Sequence, residues 1–145
     1  MKSLLRVLIL VLVSGLLLIS CRSGNQEQSG LIVNITSDAF ENPHSTVMGL
    51  HLGQKALKAD LPVTVFLNVA GPKLFMPGGD TLQFHDENIH ALLRSMMDDG
   101  ASVLVCPHCL HANGLDVENV PEGMVVAEDA LLTEQIQKAP TVFSY

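Results

Sequence analysis

Five short apolar runs, separated by helix-patterned stretches and loops, constrain this chain more than any other feature. They are Leu31 to Thr36, Pro62 to Asn68, Ala101 to Val105, Met124 to Ala127 and Thr141 to Tyr145. Each is too short for an ordinary helix and fits a buried strand. After the first run, Asn42-Pro43 supplies an N-cap followed by proline at the first helical position, opening a helix expected to reach about Ala59. Before the third, Ile89, Leu92, Leu93, Met96 and Met97 recur at the spacing of one helical face, and Gly100 takes the stop position. Glu128 to Lys138 reads as a last helix. Strands alternating with helices predict an α/β fold: a single three-layer sandwich with a mostly parallel sheet of about five strands, joined by right-handed crossovers. Ala70 to Phe84, with Gly71-Pro72, Pro77 and Gly78-Gly79, is expected to be one long irregular loop of the kind that often carries function. Leu110 to Asn113 is expected to form at most a short helical turn, closed by Gly114.

Residues 1–20 stand apart from this pattern. Lys2 and Arg6 precede an apolar run, Val7 to Ile19, interrupted only by Ser14 and Gly15. Its length suits the core of a signal peptide better than a membrane span. The run closes in Leu18-Ile19-Ser20-Cys21, with an aliphatic residue three before the cysteine and a small one directly before it. This resembles the lipobox of bacterial lipoproteins, which implies cleavage before Cys21, acylation of Cys21, and anchoring of the protein in the cell envelope facing the periplasm. Arg22 rather than aspartate after the cysteine resembles lipoproteins sent to the outer membrane more than those kept in the inner. Residues 21–30 are polar and read as a flexible tether. The expected organisation is a signal peptide over 1–20, a tether over 21–30 and one domain over 31–145.

Cleavage would leave 125 of the 145 residues, enough for one core. It would remove Lys2 and Arg6, leaving six basic against fifteen acidic residues, a formal charge of −9. No basic cluster is present, so nucleic acid is not an expected partner. No Gly-rich phosphate loop occurs and no cofactor is expected.

With Cys21 assigned to the lipid, Cys106 and Cys109 remain as one Cys-Pro-His-Cys pair. A disulfide between them would close too short a loop to staple a fold, which points to chemistry. The pair sits at the C-terminal end of an expected central strand, where α/β proteins place their ligands. A helical turn beginning there would favour a thiolate, and Pro107 suits its first position. Cys106 is then the expected nucleophile and Cys109, three residues on, its resolving partner. His108 and His111 flank the sulfurs and would support a thiolate when protonated. The single histidines His44, His51, His85 and His90 fit structural roles, and Asp38 and Glu41 open on the same sheet edge as Cys106.

Three readings of the pair stand side by side: inert, mostly buried thiols, a zinc site drawing on His108 and His111, and sulfur or redox chemistry. Zinc sites usually add a second ligand pair at a distance, and His85 and His90 lack that spacing. The tetrapeptide also occurs in thioredoxin-fold disulfide oxidases. There the pair follows an early strand, whereas here only Leu110 to Tyr145 follow it and no tryptophan precedes it.

From Leu31 to Tyr145 the pattern resembles the DsrE/DsrF (YchN-like) sulfur-relay family. The residues that carry the likeness are Val103-Leu104-Val105 entering Cys106-Pro-His-Cys109, then Asn113-Gly114-Leu115, Gly123-Met124-Val125, an acidic helix, and Thr141-Val142-Phe143. The resemblance implies a five-stranded α/β sandwich assembled as a homo-oligomer, trimer or hexamer, with cysteine loops near the interfaces. It also implies that Cys106 accepts sulfur as a persulfide from small sulfur compounds or a thiol partner protein and passes it on; such a product needs a sheltered pocket, for which the Gly71 to Gly79 loop is the candidate. An alternative on the same scaffold is a non-catalytic binding, assembly or redox-sensing module. The relay members of the family are cytoplasmic, so an exported, lipid-anchored member would not share their partners.

Overall fold

The fold is that of a computed structural model, which describes residues 29–138 and 141–145. The expected signal peptide, Cys21 and nearly all of the tether lie outside those residues. Among the described residues no helix is long and apolar enough to cross a membrane.

The chain alternates as its pattern predicts. Strand β1 (Leu31–Ile35) is followed by helix α1 (Pro43–Leu57) and β2 (Val63–Leu67). A short hairpin, β3 (Gln83–Phe84) and β4 (Glu87–Asn88), leads into α2 (Ile89–Asp98) and β5 (Ser102–Val105). Helix α3 (Pro107–Ala112), β6 (Val125–Val126), α4 (Asp129–Lys138) and β7 (Thr141–Ser144) complete it. The main sheet has the order β6-β5-β2-β1-β7 and every pairing in it is parallel.

The helix boundaries follow from their caps. The Asn42 side chain accepts from the Ser45 N–H at 3.2 Å, and Asn88 accepts from Ala91 N–H at 2.8 Å. Gly100, at φ +98°, ends α2 in the left-handed conformation that glycine adopts without a Cβ clash.

Side chains alternate across the sheet and divide it into two unequal faces. Leu31, Val33, Ile35, Val63, Val65, Leu67, Val103 and Val105 form one core with Val47 and Leu50 of α1 and Leu92, Leu93 and Met96 of α2. The opposite face buries Ile32 and Leu104 and is crossed by α4, whose Gln135 Oε1 accepts from the Thr64 hydroxyl at 2.9 Å. No residue of α4 is buried, and Val125, Ile136 and Val142 are exposed. The sandwich is therefore thick on one side and thin on the other.

Three expectations need correction. The segment after β2 is organised rather than irregular, with 3-10 turns over Gly71–Phe75 and Gly79–Thr81 and then the β3–β4 hairpin. Proline at the second position of the first turn explains its start, and Gly71 lets it press against the Ile35 carbonyl, where a Cβ would collide. Helix α1 stops at Leu57, two residues short of the expected end near Ala59, with Lys58 as its C-cap. The turn expected at Leu110 begins three residues earlier, as Pro107 starts α3 directly after Cys106.

Candidate functional site

Five parallel strands bring their C-terminal ends to one edge of the sheet, and the cysteine pair is built there. The last residues of β5 lie in register with β2 (Leu67 with Val105), and the Cys106 N–H donates to the Leu67 carbonyl at 3.0 Å. Cys106 is thereby fixed as the residue between β5 and α3, in extended conformation at the N-cap. Cys109 sits one turn on, in the first turn of α3. Both are half-buried and free. Leu110, fully buried, anchors the helix into the core. The 3-10 turn Gly71–Phe75 packs against α3.

The two thiols are not equivalent. Burial pushes the Cys109 thiol above its ordinary value, and a hydrogen bond shared with Cys106 together with its charge acts in the same direction. A single opposing influence is the Val69 N–H, which donates to Cys109 Sγ at 3.0 Å. Val69 lies in the loop after β2 at φ +52°, a conformation that β-branched residues rarely adopt. The side chain of Asn113, at the end of α3, reaches the same loop: its Nδ2 donates to the Val69 carbonyl at 2.7 Å and to the Cys109 carbonyl at 2.6 Å. The neighbouring Asn68 Oδ1 is buried with no hydrogen-bond partner.

Of the residues expected at the site, Cys106 and Cys109 meet. His108 and His111 are exposed, and neither hydrogen-bonds a sulfur; His111 instead faces Asp116, with Nδ1 3.5 Å from Oδ1. Among the described residues, no three His, Cys, Asp or Glu side chains converge in a way that could hold a metal ion. Asp38 stays on the cysteine edge of the sheet, where Lys73 holds it at 2.6 Å. The other histidines have structural partners. His44 stacks on Phe84, His51 Nε2 lies 2.7 Å from Glu87 Oε2, and buried His90 contacts the Leu74 carbonyl at 2.8 Å.

Sequence inspection gave Val69 and Asn113 no part in the site. Asn113 precedes Gly114, a signal for a helix end, but nothing in that signal points to a partner 44 residues away. Val69 has no signal at all, since a left-handed residue is normally announced by glycine or asparagine.

Comparisons with known proteins agree with this architecture. No curated protein matches the sequence. The YchN protein of E. coli superposes with a TM-score of 0.53 at 16% identity, covering 81% of this chain and 99% of that one. MTH1491 of Methanobacterium thermoautotrophicum, a protein of unknown function, superposes with a TM-score of 0.58 at 15% identity, covering 81% and 99%. At such identities the likeness speaks for the fold. The model of the DsrE/DsrF-like family matches residues 31–145, the whole of the strand-and-helix pattern, and the chain belongs to that family.

Proposed function

We propose that this protein handles sulfane sulfur as a persulfide on Cys106, with Cys109 as the partner thiol. The observation that carries the reading is the pair itself: two free sulfurs one helical turn apart at the C-terminal edge of the sheet, one of them held by a main-chain N–H. In the first step the Cys106 thiolate attacks the terminal sulfur of a polysulfide. A new S–S bond forms on Cys106, the adjacent S–S bond of the donor breaks, and the shortened polysulfide leaves with the electron pair. A thiolate of an acceptor protein then takes the outer sulfur and regenerates Cys106. If no acceptor arrives, the Cys109 thiolate attacks the inner sulfur, the Cys106–Cys109 disulfide forms, hydrosulfide leaves, and a thiol reductant must reset the pair. Cys109 keeps its proton better than an ordinary cysteine, which slows this release and prolongs the persulfide. His108 and His111, both on α3, remain candidate supporting residues.

The test is to incubate the reduced protein with polysulfide and weigh it intact. Mass gained in whole sulfur atoms by the wild type and by Cys109→Ser, but not by Cys106→Ser, is the expected result. No adduct on fully reduced wild type would favour the second reading, a non-catalytic binding, assembly or redox-sensing module. That reading draws on the thin face of the sheet, where Val125, Ile136 and Val142 are exposed.

We also propose homo-oligomerisation, with those exposed side chains as candidate contacts; trimer or hexamer is what the family resemblance implies, and sedimentation measures it. We also infer lipid anchoring from Leu18 to Cys21: Cys21→Ala should move the protein out of the membrane fraction and stop incorporation of labelled fatty acid. Density separation of the membranes tests the outer-membrane assignment.

A further inference from the structure

Val69 combines three features that do not coincide by local preference. It is β-branched, 61% exposed, and held at φ +52°. Its side chain gains little from burial, so whatever keeps the backbone left-handed acts on the main chain. The turn is closed by the Gly71 N–H donating to the Asn68 carbonyl at 2.7 Å and flanked by the Ala70 N–H on the Thr36 carbonyl at 3.2 Å, and two further contacts hold the peptide groups of Val69 itself. The carbonyl accepts from Asn113 Nδ2, and the N–H donates to Cys109 Sγ. Asn113 also grips the Cys109 carbonyl, so one amide ties the loop after β2 to the turn that carries the sulfur. A buried, unpaired Asn68 Oδ1 directly before Val69 is a second unfavourable feature in the same loop. Strain concentrated at two adjacent residues beside a thiol pair points to a device that is maintained for its geometry.

We propose that Asn113 is a positioning residue, which locks Val69 in the left-handed conformation so that the Val69 N–H is aimed at the Cys109 sulfur. The clamp offsets the burial of Cys109 and keeps it able to ionise as the partner thiol of Cys106. The purpose assigned to the clamp rests on the sulfur-handling reading above; the clamp itself does not. Turning Val69 to an ordinary negative φ would swing its N–H off the sulfur and remove the one hydrogen bond that stabilises a Cys109 thiolate.

The test reads each cysteine separately. The reduced full chain is alkylated briefly with iodoacetamide across a pH series, and the two sites are quantified by peptide mass spectrometry. In Asn113→Ala the Cys109 midpoint should rise by about half a unit to one unit, the loss of a single hydrogen bond to a thiolate. The Cys106 midpoint should move less. Adding Val69→Gly to Asn113→Ala should bring the Cys109 midpoint back towards wild type, because glycine takes the left-handed conformation unaided. If Asn113→Ala does not fold, Asn113→Ser, too short to span both carbonyls, is measured in the same way. A Cys109 midpoint that stays put or falls on truncation, or that does not recover with glycine at position 69, overturns the proposal. These profiles need no sulfur donor, so they can succeed while the polysulfide experiment fails, and the reverse.

Discussion

Lys73 Nζ stands 2.6 Å from Asp38 Oδ2 and joins the loop after β1 to the turn after β2, beside the cysteine edge of the sheet. Burial pushes the Asp38 carboxyl up, but the Lys73 hydrogen bond and charge and the N–H groups of Phe40 and Glu41 outweigh it, so the net value lies below 3.8. A carboxyl lowered on folding adds stability that is present above its unfolded value and disappears as pH falls through the folded one. Thermal unfolding of wild type should therefore weaken below about pH 3.8 in part through this residue. Asp38→Asn should be less stable at neutral pH and show a shallower acid slope. Equal slopes for the two proteins would remove Asp38 from the account.

Cys109 gives the opposite sign on the alkaline side. Its thiol is raised above 9.0, chiefly by burial. The unfolded chain gives up that proton first, so stability is full below about 9 and declines as pH rises towards the folded value. Denaturant titrations should show this alkaline decline in wild type and lose part of it in Cys109→Ser.

Val69→Gly should stabilise the protein. The exposed side chain has little burial to lose, and relief of a left-handed β-branched residue outweighs the added chain entropy of glycine, for a net gain of about 1 kcal/mol. Urea unfolding measures it; a loss of stability would mean that the φ of +52° is not strained.

Leu110→Ala tests how the cysteine helix is seated. Leu110 is fully buried and is the buried residue of α3. Its truncation should cost about 2–5 kcal/mol and speed alkylation of both cysteines by loosening the turn that carries Cys109. Unchanged labelling with lowered stability would show that the turn is held by Asn113 instead.

The fold was legible in the sequence because its signals are local and repeated. The cap at Asn42, the stop at Gly100 and the five apolar runs each report on their own few residues, and the parallel sheet follows from their alternation. The position of the pair at the end of β5 was legible for the same reason. What was not legible depends on contacts between distant segments. The grip of Asn113 on Val69, the pairing of Asp38 with Lys73 and the turn of His111 towards Asp116 arise only once the sheet edge has been assembled. The hairpin inside the Gly/Pro-rich segment was hidden because its strands have two residues each, and its turn uses His85 at φ +53° in place of glycine.

The first and last strands of the sheet are neighbours, while β6, nearest to β7 along the chain, lies at the opposite margin. A polypeptide delivered from its N-terminus can pair β2, β5 and β6 in turn, yet one side of β1 stays open until the final residues arrive. Throughout that interval a row of unpaired main-chain groups on Leu31–Ile35 is available to any extended segment, including β7 of a neighbouring molecule. Exchange of the last strand between copies is thus the misassembly this topology invites, and crowded synthesis is the condition under which it would show.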